Sequence, residues 1–515
     1  PSGRGASVAV IHLIALPVLL PAFIAALILL YRKHTLRIGR AVSVASTAAL
    51  VLAGLYFVAS SSDGTITSYA LGNWQAPFGI VLVLDRLSAL MLLLTAVLAL
   101  IVLWHAIETD LDRRGWHFHS LFQFQLLGLN GAFLTGDLFN LFVFFEVLLI
   151  ASYGLMLHGQ GAERLKAGVQ YVIINLVGSA IFLIAIGILY GVTGTLNMAD
   201  MAVRVGQLGP QDQWLLRAGA ALLLSVFALK AALLPLHLWL PRTYANTSPP
   251  VAALFAIMTK VGVYSIIRVG TLVFGAGTGP DVLAPVEWIL PAALLTMVIG
   301  FAGLIAARKL RDLAAFALIG STGTLLVSVS LFDQSALAAA LYYFPHTTLA
   351  AAALFLVTDC VQRRRPQHGD SLVPGPRFIA SEALSVLFLL TAIAIAGLPP
   401  LSGFVGKLLI LEAAQPLANA PLVWTTILVT TFVAIVGLAL AGSTLFWKSA
   451  AMGEGPLPPA RWHRTGDLVP TGAVLAGLMA LTLLAGPAMA YMEAAAAQLF
   501  EPAGYIEAVL GGRAR

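Results

Sequence analysis

The sequence predicts an all-α polytopic membrane protein of about fourteen transmembrane helices, with two five-helix inverted repeats that each contain a proline-broken helix. Three observations predict it. The 515 residues are 59% hydrophobic and only 10% charged, too little charge to cover a soluble surface. Apolar runs long enough to cross a bilayer recur along the chain, and the loops between them alternate between rich and poor in Lys and Arg. Two runs are too long for one straight crossing and carry internal prolines.

The runs fall at 9–31, 38–60, 81–105, 117–135, 138–158, 167–191, 214–245, 250–275, 286–306, 312–331, 335–360, 381–413, 420–447 and 469–495. The first has no small-residue cleavage pattern after it and is long for a signal core, so it reads as a retained helix. Together they make one transmembrane domain over 1–515. Its N-terminal helices occupy about 1–116, a first repeat 117–275, a second repeat 286–447, and a last helix with a tail 469–515. No soluble domain interrupts it.

One set of loops holds Arg32, Lys33, Arg37 and Arg40, then Arg113 and Arg114, Arg164 and Lys166, Arg242, Arg308, Lys309 and Arg311, Arg363, Arg364, Arg365 and Arg377, and Lys448, Arg461 and Arg464. The other set holds only Arg204, with Arg86 and Arg217 at helix edges. The positive-inside rule makes the first set cytoplasmic and leaves both termini outside. The formal net charge of +6 therefore reports topology before it reports an anionic partner. The single cysteine, Cys360, excludes a disulfide framework and a Cys-based metal site.

The two overlong runs read SVFALKAALLPLHLWLP and AIAGLPPLSGFVGKLLILE. A proline removes a backbone hydrogen bond and clashes with the preceding turn, so each helix breaks there. Broken backbone at membrane depth is tolerated where it is enclosed by protein or lines a wet cavity. The two breaks run in opposite directions and lie five spans apart, which is the pattern of an inverted repeat with its coupling sites at the breaks.

Five ionisable groups lie deep in these runs: Glu146, Lys230, Lys260, His346 and Lys407. Each costs roughly 2.5–3.5 kcal/mol at the bilayer centre, so the set reads as a proton pathway. Lys230 is the candidate ion-pair partner of Glu146; the static alternative is a helix-packing pair. Lys260 is close to the midplane. His346 suits a relay because histidine titrates nearest neutral pH, though a hydrogen-bonded core histidine is the ordinary alternative. Lys407, in the outer half of its span, either donates protons outward or snorkels to the interface. Two further candidates are His237, after Pro235, and Asp137, whose ordinary role is to favour a helix N-terminus. Arg268 reads as a structural counter-charge or interface anchor, and Asp85 with Arg86 as an interfacial pair.

The stretch ALKAALLPLHLWLPRTYANTSPPVAALFAIMTKVGVYSIIRV resembles the core of the proton-translocating antiporter-like subunits, which respiratory complex I (its L, M and N subunits) and the Mrp-type multisubunit cation/proton antiporters share. WQAPFGIVLVLDRLSALM and GDLFNLFVFFEVLLIASYGL look most like the D-type subunits of the Mrp antiporters. By that resemblance Glu146 matches an essential glutamate of the fifth span, Lys230 the lysine of the first broken helix, Lys260 the eighth-span lysine, His346 the eleventh-span histidine and Lys407 the twelfth-span lysine. It implies a multi-pass bacterial plasma-membrane protein in a hetero-oligomer of about six or seven different subunits, exchanging Na⁺, K⁺ or Li⁺ for protons. The implied role is a transporter subunit rather than an enzyme, and the cation route through this subunit or a neighbouring one is left open. The alternative is a proton-pumping subunit of complex I or of a membrane-bound hydrogenase. No Walker A, dinucleotide-binding or His/Cys metal spacing is present, so neither cofactor nor metal is expected; nor is a nucleic-acid partner.

Overall fold

The computed structural model describes residues 12–30, 36–275, 288–450, 452 and 465–511. The start of the first expected span, the loop cations Arg32, Lys33, Arg461 and Arg464, and the end of the C-terminal tail lie outside the described residues. The chain builds helices in the order α1 (Leu16–Leu30), α2 (Leu36–Ser61), α3 (Arg86–Glu108), α4 (Phe118–Leu134), α5 (Leu138–Leu157), α6 (Ala162–Thr193), α7 (Met198–Val205), α8 (Gln213–Lys230), α9 (Trp239–Asn246), α10 (Pro249–Phe255), α11 (Met258–Leu272), α12 (Ile289–Ala306), α13 (Leu310–Ser330), α14 (Gln334–Arg364), α15 (Ser381–Ala396), α16 (Ser402–Ala414), α17 (Ala420–Gly442), α18 (Leu468–Leu483), α19 (Ala485–Phe500) and α20 (Ala503–Leu510).

Among the described residues, ten helices are long and apolar enough to cross a membrane, and eleven if the bent pair α18–α19 forms one span. Two spans, Pro249–Leu272 and Gln334–Arg364, are enclosed by protein over their whole apolar length. They form the centre of the bundle. Peripheral helices such as α6 expose Val169, Ile173, Val177 and Ile184 instead. Helix starts follow from local chemistry. Asp137 caps α5 by accepting from the amides of Phe139 and Asn140, and Asp333 caps α14 through those of Ser335 and Ala336. Such caps satisfy amides that have no partner inside the helix.

Three expectations are corrected. The protein is not purely α-helical. Val81–Leu84, expected to open a span, is a β-strand paired antiparallel with Thr67–Ala70. A run of Val and Leu this short suits a buried strand as well as a helix, and the pairing decides. The last span is not straight. It bends by 78° between α18 and α19, where Gly486 and Pro487 follow the joint. Proline fits a helix's first turn but not its interior. Asp85 does not pair with Arg86: it meets the buried Arg268, while Arg86 donates to the carbonyls of Ser62 and Ala494.

Both overlong runs are broken. The first stops being helical at Lys230, turns through Ala232 at φ 56°, and resumes at Trp239. The freed amide of Leu234 donates to Thr296 Oγ1 at 2.8 Å, and Trp239 Nε1 donates to the Leu229 carbonyl at 3.0 Å. The second break lies between Ala396 and Ser402, with Gly397 in the left-handed region.

Candidate functional site

Four basic side chains sit at the two breaks and in the two central helices. Lys260 is 0% exposed, His346 1%, and Lys230 and Lys407 5% each. All four are enclosed by protein, and the Lys407 ammonium turns inward onto protein oxygens. Glu146, in the middle of α5, is half-buried.

Among the described residues, none of these basic groups makes an ion pair; each is held by a neutral oxygen. Lys230 Nζ donates to Asn175 Oδ1 of α6 at 2.9 Å. Lys260 Nζ donates to Thr322 Oγ1 of α13 at 3.1 Å. His346 Nδ1 lies 3.0 Å from Ser402 Oγ at the start of α16. Lys407 Nζ donates to the Ala396 carbonyl and to Thr431 Oγ1 of α17, both at 2.8 Å. The expected Glu146–Lys230 ion pair is absent. The Glu146 carboxylate accepts instead from the Ser179 hydroxyl of α6.

A helix break explains one of these partners. A helix leaves its last carbonyls unpaired and carries negative partial charge there. Ala396 is the last residue of α15, and its carbonyl points at the Lys407 ammonium one element further on. Gly397, at φ +73°, makes this possible, since a Cβ there would lie 2.7 Å from Lys407 Cδ. Lys230 is itself the last helical residue of α8. Two aromatic rings add weaker contacts: Phe145 lies 5.8 Å from Lys230 Nζ and Phe301 5.3 Å from Lys407 Nζ.

The five groups lie on elements that pack against one another. The partners of Glu146 and Lys230, Ser179 and Asn175, lie four residues apart on α6. The helix carrying Lys260 packs directly on the end of α8: a Cβ at Gly262 would fall 2.5 Å from the Ala231 amide nitrogen. The helix carrying Lys407 packs on His346: a Cβ at Gly403 would fall 2.7 Å from His346 Cε1. One hydroxyl pair lies between α13 and α14, where Ser321, beside Thr322, accepts from Thr347, beside His346, at 2.8 Å.

The two further candidates stand apart. Asp137 is the cap of α5. His237 is buried in the short turn Leu236–Leu238, and its Nδ1 has no hydrogen-bond partner among the described residues. It makes no hydrogen bond or ion pair with the five. Among the described residues, no group of three or more His, Cys, Asp or Glu side chains is placed to hold a metal ion. The sequence reading missed Asn175, Ser179, Thr322, Ser402 and Thr431. For α6 a signal existed: Tyr171, Asn175 and Ser179 recur every four residues on an otherwise apolar helix, the spacing of one helix face.

A bundle with breaks in its membrane-depth helices and a row of buried, neutrally partnered ionisable groups defines an ion-translocating membrane protein. Residues 135–437, which hold all five groups, match the family described as NADH:quinone oxidoreductase/Mrp antiporter, transmembrane. The chain belongs to this family. It is 40% identical, over 97% of each chain, to a protein of Rhizobium meliloti (strain 1021) named as the D subunit of a probable K(+)/H(+) antiporter. It is 36% identical to the D subunit of the Na(+)/H(+) antiporter of Alkalihalophilus pseudofirmus, over 97% of this chain and 99% of that one. The fold matches a chain of the Mrp complex from Dietzia sp. DQ12-45-1b with a TM-score of 0.86 and 28% identity, over 97% of this chain and 100% of the other.

Proposed function

We propose that this chain is the proton-translocating D-type subunit of a multisubunit Mrp antiporter, moving protons along Glu146, Lys230, Lys260, His346 and Lys407 while a monovalent cation crosses the membrane the other way. The observation that carries this reading is the neutral partnering of the four bases Lys230, Lys260, His346 and Lys407. A lysine held by a carboxylate keeps its proton, since releasing it would strand a buried anion. A lysine held by a hydroxyl, amide or carbonyl releases it without that penalty, and buried lysines exchange protons readily. Each charge that moves along the series changes the proton affinity of the next.

The wider reading is a chain of about fourteen spans in the bacterial plasma membrane, both termini outside, with two five-helix inverted repeats around the breaks at Lys230 and Gly397. The opposed proline breaks and the alternating loop charge support it. Relatives named as Na⁺/H⁺ and K⁺/H⁺ antiporter subunits support Na⁺ or K⁺ as the exchanged cation and a setting among other subunits; we take that complex to hold about six or seven different membrane subunits. They also favour an antiporter over a redox-driven pump, a transporter subunit rather than a catalytic one.

The test is proton/cation exchange in everted membrane vesicles carrying the whole complex. Glu146→Ala and Lys230→Ala should each abolish exchange while the complex still assembles. Full exchange in an assembled Glu146→Ala complex would overturn the reading. Purification identifies the setting: small membrane subunits for an antiporter, iron–sulfur and flavin proteins for a redox pump.

A further inference from the structure

Helix α6 touches both members of the charge pair that the sequence places side by side. Ser179 donates to the Glu146 carboxylate. One turn back, about 6 Å along the axis, Asn175 Oδ1 accepts from the Lys230 ammonium. The amide nitrogen of Asn175 donates to the Tyr171 carbonyl at 2.9 Å, which aims its oxygen, the acceptor end, at the ammonium. Tyr171 is fixed in turn. Its hydroxyl bonds Ser152 of α5 at 2.9 Å, and its ring stacks on Trp239, centroids 5.5 Å apart, just beyond the α8 break. The face of α6 is therefore anchored to α5 on one side and to the broken helix on the other.

Lys230 is already close to the Glu146 helix, since the ring of Phe145, the residue before Glu146, lies 5.8 Å from its ammonium. In a low-dielectric interior the two opposite charges attract strongly, and the direct pair is what electrostatics alone would produce. We infer that Asn175 and Ser179 are positioning residues which hold the carboxylate and the ammonium one helical turn apart, each on its own neutral oxygen, so that the ammonium proton is not locked into a static ion pair. This rests on the proton-relay reading above. The α6 stripe supplies a second resting place for each charge.

The decisive variant is Asn175→Asp, measured as exchange in vesicles with the assembled complex. Aspartate has the shape of asparagine and binds the ammonium at the same position, so a merely structural role is kept or strengthened. As a positioning residue it fails, because a carboxylate in contact holds Lys230 in its charged form. We expect exchange to fall by about tenfold or more, while Asn175→Gln, which keeps a neutral oxygen, retains most of it. Wild-type exchange in Asn175→Asp overturns the inference. Should Asn175→Asp not assemble, Asn175→Leu, which keeps the volume and removes the oxygen, takes its place: a loss of about tenfold supports the inference and wild-type exchange overturns it. Glu146→Ala, measured alongside, separates the two ideas. If it abolishes exchange and Asn175→Asp does not impair it, the relay stands and only the role of Asn175 falls.

Discussion

Asp85 and Arg268 form a fully enclosed pair. The carboxylate that caps α3 through the Ser88 amide takes Arg268 Nη1 at 2.5 Å and Nη2 at 2.8 Å. Ser88 Oγ and Tyr264 OH accept further guanidinium hydrogen bonds, at 3.2 and 3.3 Å. Every strong interaction of this pair is satisfied locally, whereas Glu146, Lys230, Lys260, His346 and Lys407 have neutral partners. The two arrangements are opposites: one closes charge on charge, the other sets each group on a neutral oxygen.

Removing one member of the enclosed pair should therefore harm stability. Asp85→Ala strands the Arg268 guanidinium, at a cost of about 3–5 kcal/mol. We expect a lower thermal midpoint of the purified complex or failed assembly. The double variant Asp85→Leu/Arg268→Met removes both charges and should regain much of the loss. An assembled double variant that has lost exchange would place the pair in the proton path instead.

Lys260 should behave in the opposite way. Its ammonium is completely buried on a single hydroxyl. Lys260→Met keeps the chain length and removes the desolvated charge, so stability should stay equal or rise. Exchange should fall by about 100-fold, the scale of losing one proton-transfer group. Thermal unfolding and vesicle exchange on the same preparation separate the two effects, and unchanged exchange would remove Lys260 from the path.

Gly397 couples backbone to relay. Gly397→Ala forces a side chain into the left-handed region and against the Lys407 stem. Strain of this kind costs about 1–3 kcal/mol. We expect a lower thermal midpoint together with slower exchange, because Lys407 must leave the Ala396 carbonyl. A substitution that leaves both unchanged would show that this contact does not hold the lysine.

One pH dependence lies in the Arg-rich loop between α3 and α4. Burial disfavours the Asp112 charge. Arg40, at 2.6 and 2.7 Å, and His119, at 3.1 Å, outweigh it and hold this carboxyl below the usual carboxylate range. A carboxylate depressed in the folded state stabilises at all pH above its unfolded value, about 3.9, and loses that contribution as pH falls through the folded value. This tie should therefore hold at neutral and mildly acidic pH and weaken only in stronger acid. Asp112→Asn should lower the thermal midpoint at pH 7 and flatten its acid limb; an unchanged acid limb would show that Asp112 does not govern it.

Composition, apolar run length and loop charge were enough to make this a polytopic membrane protein, because the bilayer core penalises every charge and unpaired backbone group. For the same reason Glu146, Lys230, Lys260, His346 and Lys407 stood out: side chains so costly at that depth are legible without coordinates. The proline breaks at Pro235 and Pro400 were legible too, as local chemistry. Only the tertiary structure decided the partners. Hydroxyls and amides such as Asn175, Ser179, Thr322 and Thr431 are common and cheap in apolar helices, so none announces itself. Likewise Arg86 and Arg268 look equally available to Asp85 in one dimension. Which oxygen meets which ammonium depends on how closely α6, α13 and α17 pack on the broken helices, and that contact geometry has no one-dimensional signature.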